Sequence, residues 1–235
     1  MNNGYIKSDV FLMDNIIFMR NCKDKEFDYG IVDPEYLNYE NNKTNENQIK
    51  GGRLVKGGTS FLDFSGKPTE EYFYHLFRIT KDQFIFGGNY FTDLMYEDSN
   101  GNSKHFLYTN NNWFVWVKQI ADAKWSMFEQ AWTSINNNAR CFQCSPMGKV
   151  AKWHPTSKPV DVYRYIYKSY LKPGSSILDT NLGSGSSRIA AISMGFNFTG
   201  IEINEKFFNL SNRDFNIFYE KNRLFLPKIE CDNWF

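Results

Sequence analysis

Residues 175–204 read SSILDTNLGSGSSRIAAISMGFNFTGIEIN, and no other stretch limits the fold as tightly. Ile177 and Leu178 make a short apolar run ending at Asp179, the pattern of a buried parallel strand. The turn Leu182-Gly183-Ser184-Gly185 follows, then a helical run through Arg188, Ile189, Ala190, Ala191 and Met194, closed by Gly195. Residues 196–203 form a second strand, with Glu202 near its end. Strand, glycine turn, helix and strand in about thirty residues make a βαβ unit. The glycines let the backbone pass close to a ligand at the helix N-terminus. Glu202 stands about twenty residues beyond the first glycine, where an acidic side chain can hold ribose hydroxyls. A ligand containing a nucleoside suits such a site.

A dinucleotide site wants G-x-G-x-x-G, its third glycine allowing close helix packing. Here that position is Arg188. D-x-x-x-G-x-G with an acidic residue ending the next strand suits S-adenosylmethionine better, a ligand with a ribose and no phosphates. By itself the glycine pair is a weak signal, and a structural βα turn with no ligand is its alternative.

A chain of 235 residues can bury one sizeable core, so residues 1–235 are expected to form a single α/β domain. The formal net charge is +1, so any footprint for a nucleic acid must be local. Neither a basic-then-apolar leader nor an apolar run of membrane-spanning length is present, which points to a soluble, cytoplasmic protein with no membrane partner. Cys141 and Cys144 form a C-x-x-C pair with no second pair or nearby histidine, so no metal is expected and the cysteines read as buried free thiols.

Residues 9–14 (DVFLMD) read as a short strand ending in a carboxylate, and residues 16–20 open a helix. Residues 27–33 (FDYGIVD) make a buried strand that runs into Pro34-Glu35-Tyr36. Residues 37–68 are rich in Asn, Lys and Gly, a long flexible loop that is either solvated or in contact with a substrate. Residues 70–80 have helical spacing, and residues 83–87 (QFIFG) and 113–118 (WFVWVK) are strands. Residues 127–134 are expected to be helical, and residues 139–144 to form a short antiparallel edge strand. Ser157 is placed to cap a helix over 160–171, with Pro159 in its first turn. A last helix covers residues 205–221.

Asp33-Pro34-Glu35-Tyr36 thus lies at the carboxyl end of an expected parallel strand, where open α/β sheets bind ligands. An anionic acceptor, a carbonyl aimed by Pro34 and a flat ring suit a planar ligand with an exocyclic amino group. The same string is also an ordinary turn. In chain order, Asp33-Pro34-Glu35-Tyr36, His154-Pro155-Thr156-Ser157-Lys158-Pro159, residues 179–185 (DTNLGSG) and Gly200-Ile201-Glu202 resemble D-P-P-Y, H-P-T-Q-K-P, D-P-F-x-G-S-G and G-I-E. These are motifs of the DNA amino-methyltransferases that modify adenine N6 or cytosine N4. The order resembles their permuted arrangement, tetrad before cofactor loop, and is similar to that of bacterial and phage enzymes, some of them from restriction-modification systems.

The resemblance implies a Rossmann-like fold of about seven mostly parallel strands, helices on both faces and one antiparallel strand. It implies S-adenosylmethionine as cofactor, DNA as partner, and the cytoplasm of a bacterial or phage-infected cell. Asp33 and the Pro34 carbonyl would accept hydrogen bonds from the amino group of a flipped base, and Tyr36 would stack on it. Asp14 matches the residue that contacts the cofactor's adenine, and Glu202 the one that binds ribose. Asp179, Asn181, Gly183 and Gly185 form the loop around the methionine part. Thr156 and Lys158 lie where the family holds the methionine carboxylate, although Thr156 and Ser157 suit helix capping equally.

Two departures stand out. Glu35 replaces a proline and brings negative charge beside a pocket that must admit DNA phosphates. Thr180 and Asn181 replace Pro and Phe in the cofactor loop. Base reading falls to residues 37–68 and 134–153, or to a partner subunit, with Arg140, Lys149 and Lys152 available to phosphates. Asp at the first tetrad position favours adenine N6. Cytosine N4 and a catalytically impaired, nucleic-acid-binding relative are the alternatives, and a homodimer stays open. A Rossmann oxidoreductase is disfavoured by Arg188 and by the lack of a hydride-transfer residue.

Overall fold

The computed structural model describes residues 5–35, 67–97, 103–105, 112–119, 126–136, 138–146 and 151–230. Its frame is a nine-stranded sheet in the spatial order β11 (Lys228–Glu230), β1 (Tyr5–Leu12), β10 (Asn197–Glu202), β9 (Ser176–Asp179), β2 (Phe27–Val32), β3 (Thr80–Phe86), β7 (Phe128–Thr133), β6 (Trp113–Lys118) and β8 (Arg140–Cys144). Every neighbouring pair is parallel except those made by β7, which runs against both β3 and β6. A separate antiparallel ribbon joins β4 (Met95–Glu97) to β5 (Ser103–His105).

Strand alternation builds two cores. Phe84 and Phe86 of β3 face one layer while Ile85 faces the other, and Ile177 and Leu178 of β9 divide in the same way. The first layer packs under α3 (Val160–Tyr170), α4 (Ser186–Ser193) and α5 (Glu205–Asn222), through Val162, Ile166, Ala190, Ala191 and Phe215. The second packs under α1 (Asn15–Asn21) and α2 (Glu70–Ile79), through Met19, Phe73, Leu76 and Ile79. Helices therefore cover both faces, as expected.

Several expectations are corrected. Residues 127–134 are not a helix: β7 fits between β3 and β6, and Ala131 and Trp132 face opposite cores. The apolar spacing of this segment suits a helix, but the slot supplies ladder partners on both of its edges. Next, β8 pairs parallel with β6, because the chain leaving β7 reverses and lands on the open edge of β6. Finally, α3 begins after Pro159 with no side-chain cap, and the Ser157 hydroxyl instead accepts from the Ala151 N–H at 3.2 Å. The strand count also rises to nine, since β11 follows the last helix. The expectation of buried thiols holds at Cys144 but not at Cys141, which is exposed on the edge strand β8, and burial pushes the partly buried Cys22 thiol up to about 11. No helix among the described residues is long and apolar enough to cross a membrane.

The topology creates a switch point. From β9 the chain passes through α4 to β10 on one side, while β2 passes through α2 to β3 on the other. β9 and β2 are parallel neighbours, so their carboxyl ends open at the same edge, where doubly wound sheets bind ligands.

Candidate active site

The loop after β9 is fastened at each residue. Asp179 accepts from the Asn181 N–H at 3.0 Å and from the Ser187 hydroxyl in the first turn of α4. Burial pushes its carboxyl up to about 7, against the pull of those two hydrogen bonds and with help from the nearby Asp33 and Glu202 charges. Leu182 N–H donates to the Ile201 carbonyl, and Gly183 N–H to Glu202 Oε2 at 2.8 Å. Glu202 Oε1 takes the Asn204 N–H at 2.8 Å, and burial raises this carboxyl too. The Ile203 N–H adds to this set, so backbone donors hold the Glu202 carboxylate at the end of β10 with its oxygens turned toward the loop.

Gly183 has φ +51° and Gly185 φ +73°, a region that favours glycine. A Cβ on Gly183 would lie 2.8 Å from His154 Nε2, so the imidazole is pressed onto the loop. His154 also packs on Phe207, with ring centres 4.6 Å apart. Burial, and then the Lys158 charge, lower its pKa to about 4.

Thr180 and Asn181, the departures in this loop, meet a partner on α2. The Tyr72 hydroxyl lies 2.6 Å from Thr180 Oγ1 and 3.3 Å from Asn181 Oδ1, and Thr180 donates to Asn181 at 2.8 Å. Asn15 of α1 donates to the Thr180 carbonyl at 3.2 Å. Burial raises the Tyr72 pKa well above its ordinary value, so it remains a neutral hydroxyl.

Asp33 follows β2. Gly30 pairs with Leu178 across the β2–β9 ladder, so Asp33 and Asn181 each stand three residues beyond a matched pair. The Asp33 carboxylate holds the ammonium of Lys158, which also contacts Glu129 Oε2 at 3.1 Å and the Phe86 ring at 4.7 Å. Lys158 is only 3% exposed. Glu129 is held in turn by Lys118 at 2.6 Å. Burial raises the Asp33 carboxyl, with Lys158 as the largest opposing influence.

Beyond β10, at the end of β1, Asp14 caps α1, accepting from Ile17 N–H at 2.9 Å. Met13 N–H bonds the Glu202 carbonyl, which sets Asp14 beside the end of β10. One edge of the sheet thus gathers Asp14, Glu202, Asp179, Asn181, Gly183, Gly185, Asp33 and Pro34 from four adjacent strands. Thr156 is exposed, and Lys158 faces carboxylate side chains. Tyr36, Lys149 and residues 37–66 lie outside the described residues.

The DNA methylase family N6_N4_Mtase matches residues 11–213. The chain belongs to this family. Among DNA methylases, the Type II methyltransferase M.BglI of Bacillus subtilis is 32% identical over 80 residues, 34% of this chain and 23% of that protein. The stretches matched in the curated relatives span less than half of their length. The structure of the M1.HpyAVI-SAM complex aligns with 88% of this chain and 98% of its own, at TM-score 0.57 and 17% identity. The cytosine-N4-specific PvuII DNA methyltransferase aligns with 97% and 96%, at TM-score 0.52 and 10% identity. These two likenesses establish the fold.

Sequence reasoning missed Tyr72, Glu129 and Lys118. Tyr72 lies on the buried face of an amphipathic helix, where its hydroxyl is invisible in the pattern. Glu129 fell in the segment expected to be helical. His154 is legible in the sequence, since it opens the motif His154-Pro155-Thr156-Ser157-Lys158-Pro159.

Proposed function

We propose that the protein methylates an exocyclic amino nitrogen of a base in DNA, with adenine N6 as the target and S-adenosylmethionine as the donor. The observation that carries this reading is the placing of Asp33 and the glycine loop on adjacent parallel strands at the switch point. The donor's charge also fits. Asp33, Asp179 and Glu202 are close enough for Asp179 to be raised by the other two, and a cation relieves that repulsion. When bound, the cofactor supplies an electrophilic methyl group on a positively charged sulfur.

The residues divide the remaining tasks. Glu202 accepts from the ribose hydroxyls, Asp14 lies at the adenine end, and the loop through Gly183 and Gly185 lets backbone approach the methionine part. Asp33 and the Pro34 carbonyl accept hydrogen bonds from the amino group of a base flipped out of the stack, and Tyr36 stacks on it. Two acceptors on one nitrogen aim its lone pair and stabilise positive charge as the new C–N bond forms. The Asp33 carboxylate then lies where the surplus proton leaves.

Asp at the first tetrad position supports adenine. The PvuII likeness shows that the same fold serves cytosine N4, whose amino group asks for the same two acceptors. Incubation with methyl-labelled S-adenosylmethionine and mixed-sequence DNA, then digestion to nucleosides, tests both. Label in N6-methyladenine is expected, and label in N4-methylcytosine would move the assignment. No label in DNA would remove the reading.

A further inference from the structure

We propose that Lys158, braced by Glu129 and Lys118, is a positioning residue that keeps the Asp33 carboxylate charged and oriented for the base, rather than a ligand of the cofactor. This rests on the methyltransferase reading above. Four charges alternate through the fold: Asp33 after β2, Lys158 before α3, Glu129 on β7 and Lys118 on β6. The ammonium of Lys158 is almost wholly withdrawn from water, and such burial is stable only when compensated. Two carboxylates and the face of Phe86 provide the compensation.

The chemistry explains why the chain keeps so costly an arrangement beside its site. A carboxyl partly withdrawn from water, as Asp33 is with its side chain 21% exposed, tends to take up a proton, and a protonated Asp33 turns one oxygen into a donor facing another donor. Lys158 opposes this, and it does so through Oδ2. Lys158 takes Oδ2, which leaves Oδ1 as the acceptor assigned to the amino group on this proposal. Besides these, Asp179 of β9, Tyr72 of α2 and Tyr163 of α3 also sense the Asp33 charge, the two tyrosines as neutral hydroxyls. Glu129 fixes how far Lys158 leans toward Asp33, because it competes for the same ammonium.

The test is the pH profile of the single-turnover methylation rate, with cofactor affinity measured separately by calorimetry. Lys158→Gln should move the acid limb to higher pH by roughly one unit or more, because loss of the cation favours protonated Asp33. Glu129→Gln should move the limb the opposite way, and Lys158→Arg should restore it. S-adenosylmethionine affinity should change less than about threefold in all three. Opposite shifts cannot come from general loosening of the fold. A Lys158→Gln limb unchanged from wild type, or a tenfold or greater loss of cofactor affinity with an unmoved limb, would overturn the proposal. If wild-type protein methylates no DNA, the functional reading fails. Carbon-13 NMR titration of the Asp33 carboxyl in wild type and the same variants then tests the charge chain directly, with the same order of shifts expected and equal titrations overturning it.

Discussion

Two titrating groups at the loop, the buried Asp179 and the partly buried His154, pull in opposite directions. Asp179 holds its proton up to about 7, so near that pH the ligand-free protein is partly protonated there. A cationic ligand should expel that proton. Calorimetry of S-adenosylmethionine binding near pH 7, in buffers of different ionisation enthalpy, should therefore show release of about half a proton. The release should fade by about pH 9 and vanish in Asp179→Asn; an enthalpy independent of buffer would contradict the cationic fit. His154 behaves conversely. It falls from an ordinary 6.5 to about 4, so between those values the unfolded chain binds more protons than the folded one. Its stabilising contribution is complete above pH 6.5 and is lost as pH falls through 4, about 3 kcal/mol in all. Asp179 gains stability over the same descent, so the comparison must be between variants. Denaturant unfolding of His154→Gln should lose less stability between pH 6.5 and pH 4 than wild type. Equal losses would mean that the imidazole is not packed between the loop and Phe207 as the structure places it.

At the scale of elements, the glycine loop was legible because its chemistry is local. A βα turn with positive φ at Gly183 and Gly185, closed by a strand ending in Glu202, needs those residue types at that spacing. What local pattern does not carry is the partner from another element. Thr180 and Asn181 look like losses relative to Pro and Phe until Tyr72 of α2 arrives to bond both. Lys158 reads as a cofactor ligand in its motif, yet it pairs with Asp33, just past β2, and with Glu129 of β7. β7 itself was misread because its neighbours, and not its spacing, decide its form. Gly183→Ala tests the loop where both constraints meet. The strained φ costs roughly 1–2 kcal/mol, and the new methyl must displace His154 from 2.8 Å. Cofactor affinity should fall at least about tenfold while the unfolding midpoint drops only modestly. Wild-type affinity in this variant would show that the loop does not carry the ligand.

For the whole molecule, the decisive property is that the candidate cleft draws on both halves of one sheet. Asp14, Glu202 and the glycine loop come from β1, β10 and β9, on one side of the switch point, and Asp33 from β2 on the other. The helices that brace them lie in different layers, Tyr72 and Asn15 with α2 and α1, His154 against Phe207 of α5. A ligand seated there is linked to the packing of both cores, so its binding energy should be felt in global unfolding. At a hundredfold excess over the dissociation constant the stabilisation is about 2.7 kcal/mol, which for a chain of this size raises the melting midpoint by about 5–10 °C. Differential scanning calorimetry with increasing S-adenosylmethionine should show one transition moving as a whole. A curve that splits, with only its upper part moving, would mean that the β7–β6–β8 end melts independently of the cleft. That result would bear directly on Lys158, whose brace through Glu129 and Lys118 is anchored in those strands. A midpoint that does not move at all would leave the edge of the sheet without the ligand its carboxylates are arranged to hold.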